Sequence, residues 1–162
     1  MDRLFTPWRY TYISTAAKME VCLFCQAAGQ VDDRKAFVVH RGQHAFVMLN
    51  AFPYTSGHVM IAPYAHVDQF NKLDAATAQE ITRLMQHTEA VLRQAYSPDG
   101  MNFGMNLGRA AGAGVAGHVH LHALPRWFGD TNFMTTTSET RVLPESLEQT
   151  WEKLRAEWAR RG

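Results

Sequence analysis

From Ala36 the chain alternates short apolar bursts with turn formers. AFVVH, HAFVMLN and HVMIAPY are β-rich runs separated at Arg41-Gly42 and from Pro53 to Gly57, which predicts three strands of an antiparallel meander. Over residues 74–96 the period becomes helical: Ile81, Leu84, Met85, Val91, Leu92 and Ala95 make one apolar stripe, and Asp74 stands where an N-cap belongs. Ser97-Pro98-Asp99-Gly100 stops that helix, and MNFGMNLG and HVHLHAL follow as two more strands, the second ending at Pro125. In PESLEQTWEKLRAEWARR, the apolar positions Leu147, Trp151, Leu154 and Trp158 predict an amphipathic C-terminal helix over 144–161, with Pro144 in its first turn. Residues 1–19 carry Trp8, Tyr10 and Tyr12 without a period and read as an arm that packs on the domain or on a second subunit. The class is therefore α+β: an antiparallel meander with one long central helix and a C-terminal helix against it.

Composition narrows the picture. A chain of 162 residues, 46% hydrophobic and without repeats, is expected to form one domain over 1–162. Sixteen basic residues against fifteen acidic ones leave a net charge of +1, so no broad field invites nucleic acid or an anionic membrane. Any phosphate-bearing ligand must be small and held locally. MDRLFTPWRYTYIS has no signal-peptide run and no stretch reaches the ~20 apolar residues of a membrane span, which points to a cytoplasmic protein.

Chemistry concentrates in GAGVAGHVHLHALPRW, residues 112–127. Gly112, Gly114 and Gly117 spell G-x-G-x-x-G, but the dinucleotide fingerprint needs a helix opening at the third glycine, and HVHLHAL alternates like a strand. What remains is either an ordinary glycine-rich turn or a loop whose backbone N–H groups cradle phosphate oxygens. The histidines weigh for the second. Eight histidines shuffled through 162 residues give H-x-H-x-H roughly 0.02 times per chain. In a strand His118, His120 and His122 share one face, as a metal site or as a relay around a nucleophile, while Val119, Leu121 and Ala123 face the core. Cys22-x-x-Cys25 is open to three readings: two buried thiols, a redox pair, or half of a zinc site. The βαβ context of a thioredoxin-like redox pair is missing.

His118-Val-His120-Leu-His122-Ala-Leu124 resembles the hallmark H-φ-H-φ-H-φ-φ of the histidine triad (HIT) superfamily, φ being apolar. The likeness extends to C-x-x-C near the start, N-x-x-P-x-x-x-G-H from Asn50 to His58, the single long helix, and Asn106 before the glycine loop. NAFPYTSGHVMIAPYAH and the tail PRWFGDTNFM…RVLPE resemble the bacterial diadenosine tetraphosphate phosphorylases and hydrolases of the Fhit branch.

The resemblance implies an enzyme acting on an AMP-containing nucleotide, with no organic cofactor. His120 would attack the α-phosphorus and give a nucleotidyl-histidine, the backbone carbonyl of His118 would hold its other nitrogen's proton, and His122 would serve the phosphate oxygens. Asn50 falls at the ribose position, though a turn role fits it equally. Met48 and Met60 would border the base, and His58, Asn106, Gly112 and Gly114 complete the expected nucleotide site. Gly114-Val115 stand where many members carry Gln and then Ser or Thr, so a hydroxyl on the leaving side is missing. By the same resemblance, Cys22, Cys25, His66 and His118 would close a structural zinc site, and the chain would be a homodimer. Other functions stay open: a purine nucleoside phosphoramidase of the Hint type, a nucleotide-binding module without turnover, or a catalytic metal centre on His118, His120 and His122.

Overall fold

The computed structural model describes residues 21–130 and 143–161. The aromatic arm expected over 1–19 lies outside the described residues. Five strands, β1 (Val38–Arg41), β2 (Ala45–Leu49), β3 (Val59–Pro63), β4 (Gly100–Gly104) and β5 (Leu121–Arg126), form one sheet in the order β1-β2-β3-β5-β4, every neighbouring pair antiparallel. The helices are α1 (Leu23–Gly29), α2 (Ala75–Tyr96) and α3 (Leu147–Arg161). The α+β expectation holds.

Both faces of the sheet are covered, so every residue of β2 and β3 is buried. Val47, Leu49, Val59, Ile61, Leu121 and Ala123 face Ile81, Leu84, Val91 and Leu92 of α2 and Leu154 and Trp158 of α3. Phe46, Met48, Met60 and Ala62 point the other way, against Phe24 and Ala27 of α1. The side-chain period of two thus sorts α2 and α3 to one face and leaves the other for α1 and the glycine loop.

Helix α2 starts as its sequence predicts, with the Asp74 carboxylate accepting the Thr77 N–H at 2.7 Å. It ends at Ser97, whose left-handed backbone (φ 45°, ψ 53°) turns the chain directly toward β4. Glu80, one turn into α2, accepts backbone N–H groups of Gln43, His44 and Ala45 and so clamps the β1–β2 turn. Burial opposes its ionisation, but these donors outweigh it and hold the carboxyl below the usual range.

Three expectations need correction. The last strand begins at Leu121 and passes through Pro125 to Arg126, instead of running from His118 to Pro125. Only Leu121–Ala123 pair with β3, so among the described residues Pro125 sits where β5 has β4 as its one neighbour, and its missing N–H costs no second ladder bond. Helix α3 begins at Leu147 rather than around Pro144. Ser146 sets that start: its Oγ accepts from the Gln149 N–H at 3.2 Å, and its own N–H donates to Gln149 Oε1 at 3.0 Å, a reciprocal capping box. Finally, α1 is a helix where no element is expected. Its seven residues span about two turns, too few to show a period.

Beyond its apolar stripe, α3 seals the edge of the sheet. Trp151 Nε1–H donates to the Val38 carbonyl at 2.9 Å and Arg155 to the Val39 carbonyl at 2.7 Å. Among the described residues, no helix is long and apolar enough to cross a membrane.

Candidate active site

Strand register places His122 first. Met48 pairs with Met60 across β2–β3, and Met60 with His122 across β3–β5. Directly paired residues share a face, so the two methionines and His122 form one row on the face opposite α2 and α3. His118 and His120 precede the strand, in a connection anchored where the Val119 N–H donates to the Val67 carbonyl at 2.7 Å. The glycine loop before them folds through a single 3-10 turn at Arg109–Ala111, with Gly108 and Gly112 at φ 80° and 89°. Those angles are in the left-handed region that only glycine enters cheaply. No helix opens after Gly117, so the dinucleotide reading stays excluded. Gly112, Gly114 and Asn106 are half-buried along this connection, and Val115 packs on the Phe24, Met48 and Met60 cluster.

Hydrogen-bond partners assign the tautomer of each buried imidazole. His120 Nδ1 lies 2.8 Å from the His118 carbonyl, which only accepts, so Nδ1 carries the proton and Nε2 has a free lone pair. His58 Nδ1 accepts the Tyr54 N–H at 3.2 Å, with Asn50 Nδ2 at 3.4 Å. His58 therefore donates from Nε2 to His122 Nδ1 at 3.0 Å, which puts the proton of His122 on its Nε2. His118 donates from Nε2 to the Pro63 carbonyl at 2.9 Å and turns Nδ1 toward the cysteines.

Burial depresses the basicity of all four. It is the main cause for His58, pushed down to about 3 with help from His122 and His120, and for His122, pushed down to about 4 with help from His120. His118 and His120 are lowered too, burial outweighing the carbonyl each donates to. The cluster is neutral at physiological pH, with one unprotonated nitrogen on His120 and one N–H on His122 available for chemistry.

Asn50 serves the turn: its Oδ1 accepts the Phe52 N–H at 2.9 Å while its Nδ2 supports His58. His58 itself is 1% exposed and stands behind His122, with no surface to offer a nucleotide. Two aromatic residues that sequence reasoning missed frame the row. Phe24 packs its ring on His120 and His118 at 4.7 and 5.0 Å, and Tyr54 packs on His58 and His122 at 4.7 and 6.3 Å. Phe24 lies inside C-x-x-C and Tyr54 inside N-x-x-P-x-x-x-G-H, both at positions those patterns leave open, and only the fold brings them to the histidines.

A second cluster adjoins the first. The ligand atoms of Cys22, Cys25, His66 and His118 all lie within 4.8 Å of one another. Cys22 Sγ is 3.4 Å and Cys25 Sγ 3.8 Å from His118 Nδ1, and Cys25 Sγ is 3.2 Å from His66 Nδ1. A tetrahedral site with metal–sulfur and metal–nitrogen bonds of about 2.3 and 2.05 Å has donor–donor edges of about 3.3–3.8 Å. The group can hold a metal ion, and the Pro63 carbonyl already orients His118 as an outer partner should. The three triad histidines do not gather as a metal centre among the described residues, since two of them direct Nδ1 to the His118 carbonyl and to His58.

Residues 32–129 match the HIT domain model. The chain is 35% identical over 167 aligned positions to the AP-4-A phosphorylase of Mycobacterium tuberculosis strain H37Rv, covering 99% of this chain and 86% of that one. It is 31% identical to a 16.1 kDa HIT-like protein of Mycoplasma pneumoniae, covering 84% and 91%. Among solved structures, a Zn-bound histidine triad family protein from Mycobacterium smegmatis superposes with a TM-score of 0.69 at 26% identity, covering 90% of this chain and 96% of that one. A shared fold, a shared motif and near full-length similarity to such relatives have one meaning: the chain belongs to the HIT domain family.

Proposed function

We propose that this protein is a nucleotidyl transferase that cleaves dinucleoside polyphosphates at the α-phosphorus, with His120 as nucleophile and inorganic phosphate as acceptor. The observation that carries the reading is the 2.8 Å bond from His120 Nδ1 to the His118 carbonyl, which leaves Nε2 unprotonated. Its lone pair forms the N–P bond as the P–O bond to the leaving chain breaks, and the electron pair departs on the polyphosphate, a good leaving group that needs little acid help. Positive charge grows on the imidazole during attack, and the carbonyl that holds its proton stabilises it. His122 Nε2–H donates to a non-bridging oxygen where negative charge develops. A phosphate oxygen then attacks the same phosphorus, the N–P bond breaks, and its pair returns to Nε2.

Met48 and Met60, beside Phe24 and Val115, form the apolar wall suited to the base. In this reading Asn50 contacts the ribose, and the backbone of the Gly112–Gly114 loop with Asn106 contacts the phosphates. His58 acts as a positioning residue that fixes His122. We assign the four-residue group Cys22, Cys25, His66 and His118 to zinc. With four protein ligands the ion would supply structural stability, tying α1 and the connection after β3 to His118, and would have no open position for Lewis-acid chemistry. Phosphate as acceptor is favoured by the AP-4-A phosphorylase relative, and zinc by the Zn-bound neighbour.

We further infer a single HIT domain, since α3 shares the core of the sheet, and a cytoplasmic homodimer. Two observations support these last assignments: β4 pairs only with β5 among the described residues, leaving a strand edge for a second copy, and a paired-thiol metal site suits a reducing compartment. Product analysis tests the overall reaction. Diadenosine tetraphosphate with inorganic phosphate should give ADP and ATP, whereas AMP and ATP at every phosphate concentration would overturn phosphate as the acceptor.

A further inference from the structure

The rings at the site form an ordered row. Phe24 packs on His120, His120 lies 4.9 Å from His122, His122 lies 5.2 Å from His58, and Tyr54 closes the row over the last two. The two ends differ. Phe24 is 0% exposed, whereas Tyr54 is 47% exposed. If the adenylate half of a dinucleoside polyphosphate sits at the Phe24 end, as in the reading above, the row brings the other half toward Tyr54.

Tyr54 is also held rigidly. The Asn50 N–H donates to the His58 carbonyl at 3.0 Å and closes the loop between β2 and β3, and the Thr55 hydroxyl bolts that loop to the Pro125 carbonyl at 3.1 Å. Gly57, at φ 78°, allows the loop to lie against the Tyr96 ring, where an added Cβ would come within 2.8 Å. Fixing an aromatic ring in advance lowers the entropy lost when another ring stacks on it. A Tyr side chain contributes a π-face without any demand for a particular base.

We propose that Tyr54 is a specificity-determining residue that stacks on the base of the departing nucleotide, so that the site prefers leaving groups ending in a nucleoside over bare polyphosphate. The proposal rests on the dinucleoside polyphosphate reading above. It assigns the leaving half a contact that compensates for the missing hydroxyl at Gly114-Val115.

The test compares diadenosine tetraphosphate with adenosine 5′-tetraphosphate, which present the same adenylate and differ in whether the leaving chain ends in a nucleoside. Kinetics are measured for wild type, Tyr54→Ala and Tyr54→Phe. In Tyr54→Ala the preference for the dinucleoside, as a ratio of kcat/KM values, should fall about 5- to 30-fold, the effect of losing one exposed base–aromatic stack, mostly through KM. Tyr54→Phe keeps the π-face and should keep the ratio. Any effect transmitted through His58 and His122 acts on both substrates and cancels in the ratio. An unchanged ratio in Tyr54→Ala, whatever the absolute rates, would overturn the proposal and leave Tyr54 as packing for the histidines. Wild-type enzyme that cleaves the tetraphosphate but not the dinucleoside, or neither, would instead overturn the substrate reading and the proposal with it.

Discussion

His58 Nε2 lies 3.0 Å from His122 Nδ1, and the backbone N–H of Tyr54, 3.2 Å from His58 Nδ1, decides which way the proton in that bond points. A fixed backbone donor thereby sets the tautomer of a side chain two imidazoles away. Replacing His58 by Leu removes the donor and frees His122 to hold its proton on either nitrogen. Turnover should fall, by no more than the about 10²–10³ expected for losing one oxyanion donor, while KM changes little. His58→Gln, which can donate to His122, should recover part of kcat. Equal loss in both variants would show that His58 matters only as core.

The same pair makes folding sensitive to acid. An unfolded histidine titrates near 6.5, whereas burial holds His58 at about 3 and His122 at about 4 in the fold. Between those values the unfolded chain binds more protons, so stability is complete above pH 6.5 and is lost as pH falls toward the folded values. In urea melts from pH 6.5 to 5, His58→Leu should flatten the slope of unfolding free energy by about 0.7 kcal/mol per pH unit at pH 6.5, rising toward about 1.4 at pH 5. A parallel slope in wild type and variant would contradict the buried, neutral assignment.

The Cys22, Cys25, His66 and His118 group predicts about one zinc per chain in purified protein. Cys22→Ser should lower both zinc content and Tm. Stoichiometric zinc retained in Cys22→Ser would refute the ligand set.

Local patterns carried much of this architecture. Asp74 announces α2 because a cap and an apolar stripe are encoded within one stretch of chain, and H-x-H-x-H announces the site because three alternating histidines are improbable by chance, although only His122 lies in β5. Other features depend on contacts across the sheet. Glu80 reaches back to the β1–β2 turn, and Phe24 and Tyr54 meet the histidines only once α1 and the β2–β3 loop are in place. Pro144 offers a start signal for α3 in the sequence, and the Ser146–Gln149 capping box that sets the start instead emerges from the hydrogen bonds. The strand start is similar: alternation begins at His118, but ladder pairing begins at Leu121.

The central claim is that His120 Nε2 bonds to phosphorus, and trapping that bond tests it most directly. Substrate labelled at the α-phosphorus is mixed with enzyme and quenched in alkali after a short interval, since a phosphoramidate to histidine survives base and is lost in acid. Wild-type protein should carry the label. His120→Asn, which keeps the size and a donor but lacks the nucleophilic nitrogen, should bind nucleotide, carry no label, and turn over several orders of magnitude more slowly, a larger loss than the about 10²–10³ expected for His122 variants. Label trapped equally well on His120→Asn, or near-normal turnover by that variant, would place the nucleophile elsewhere and contradict the account.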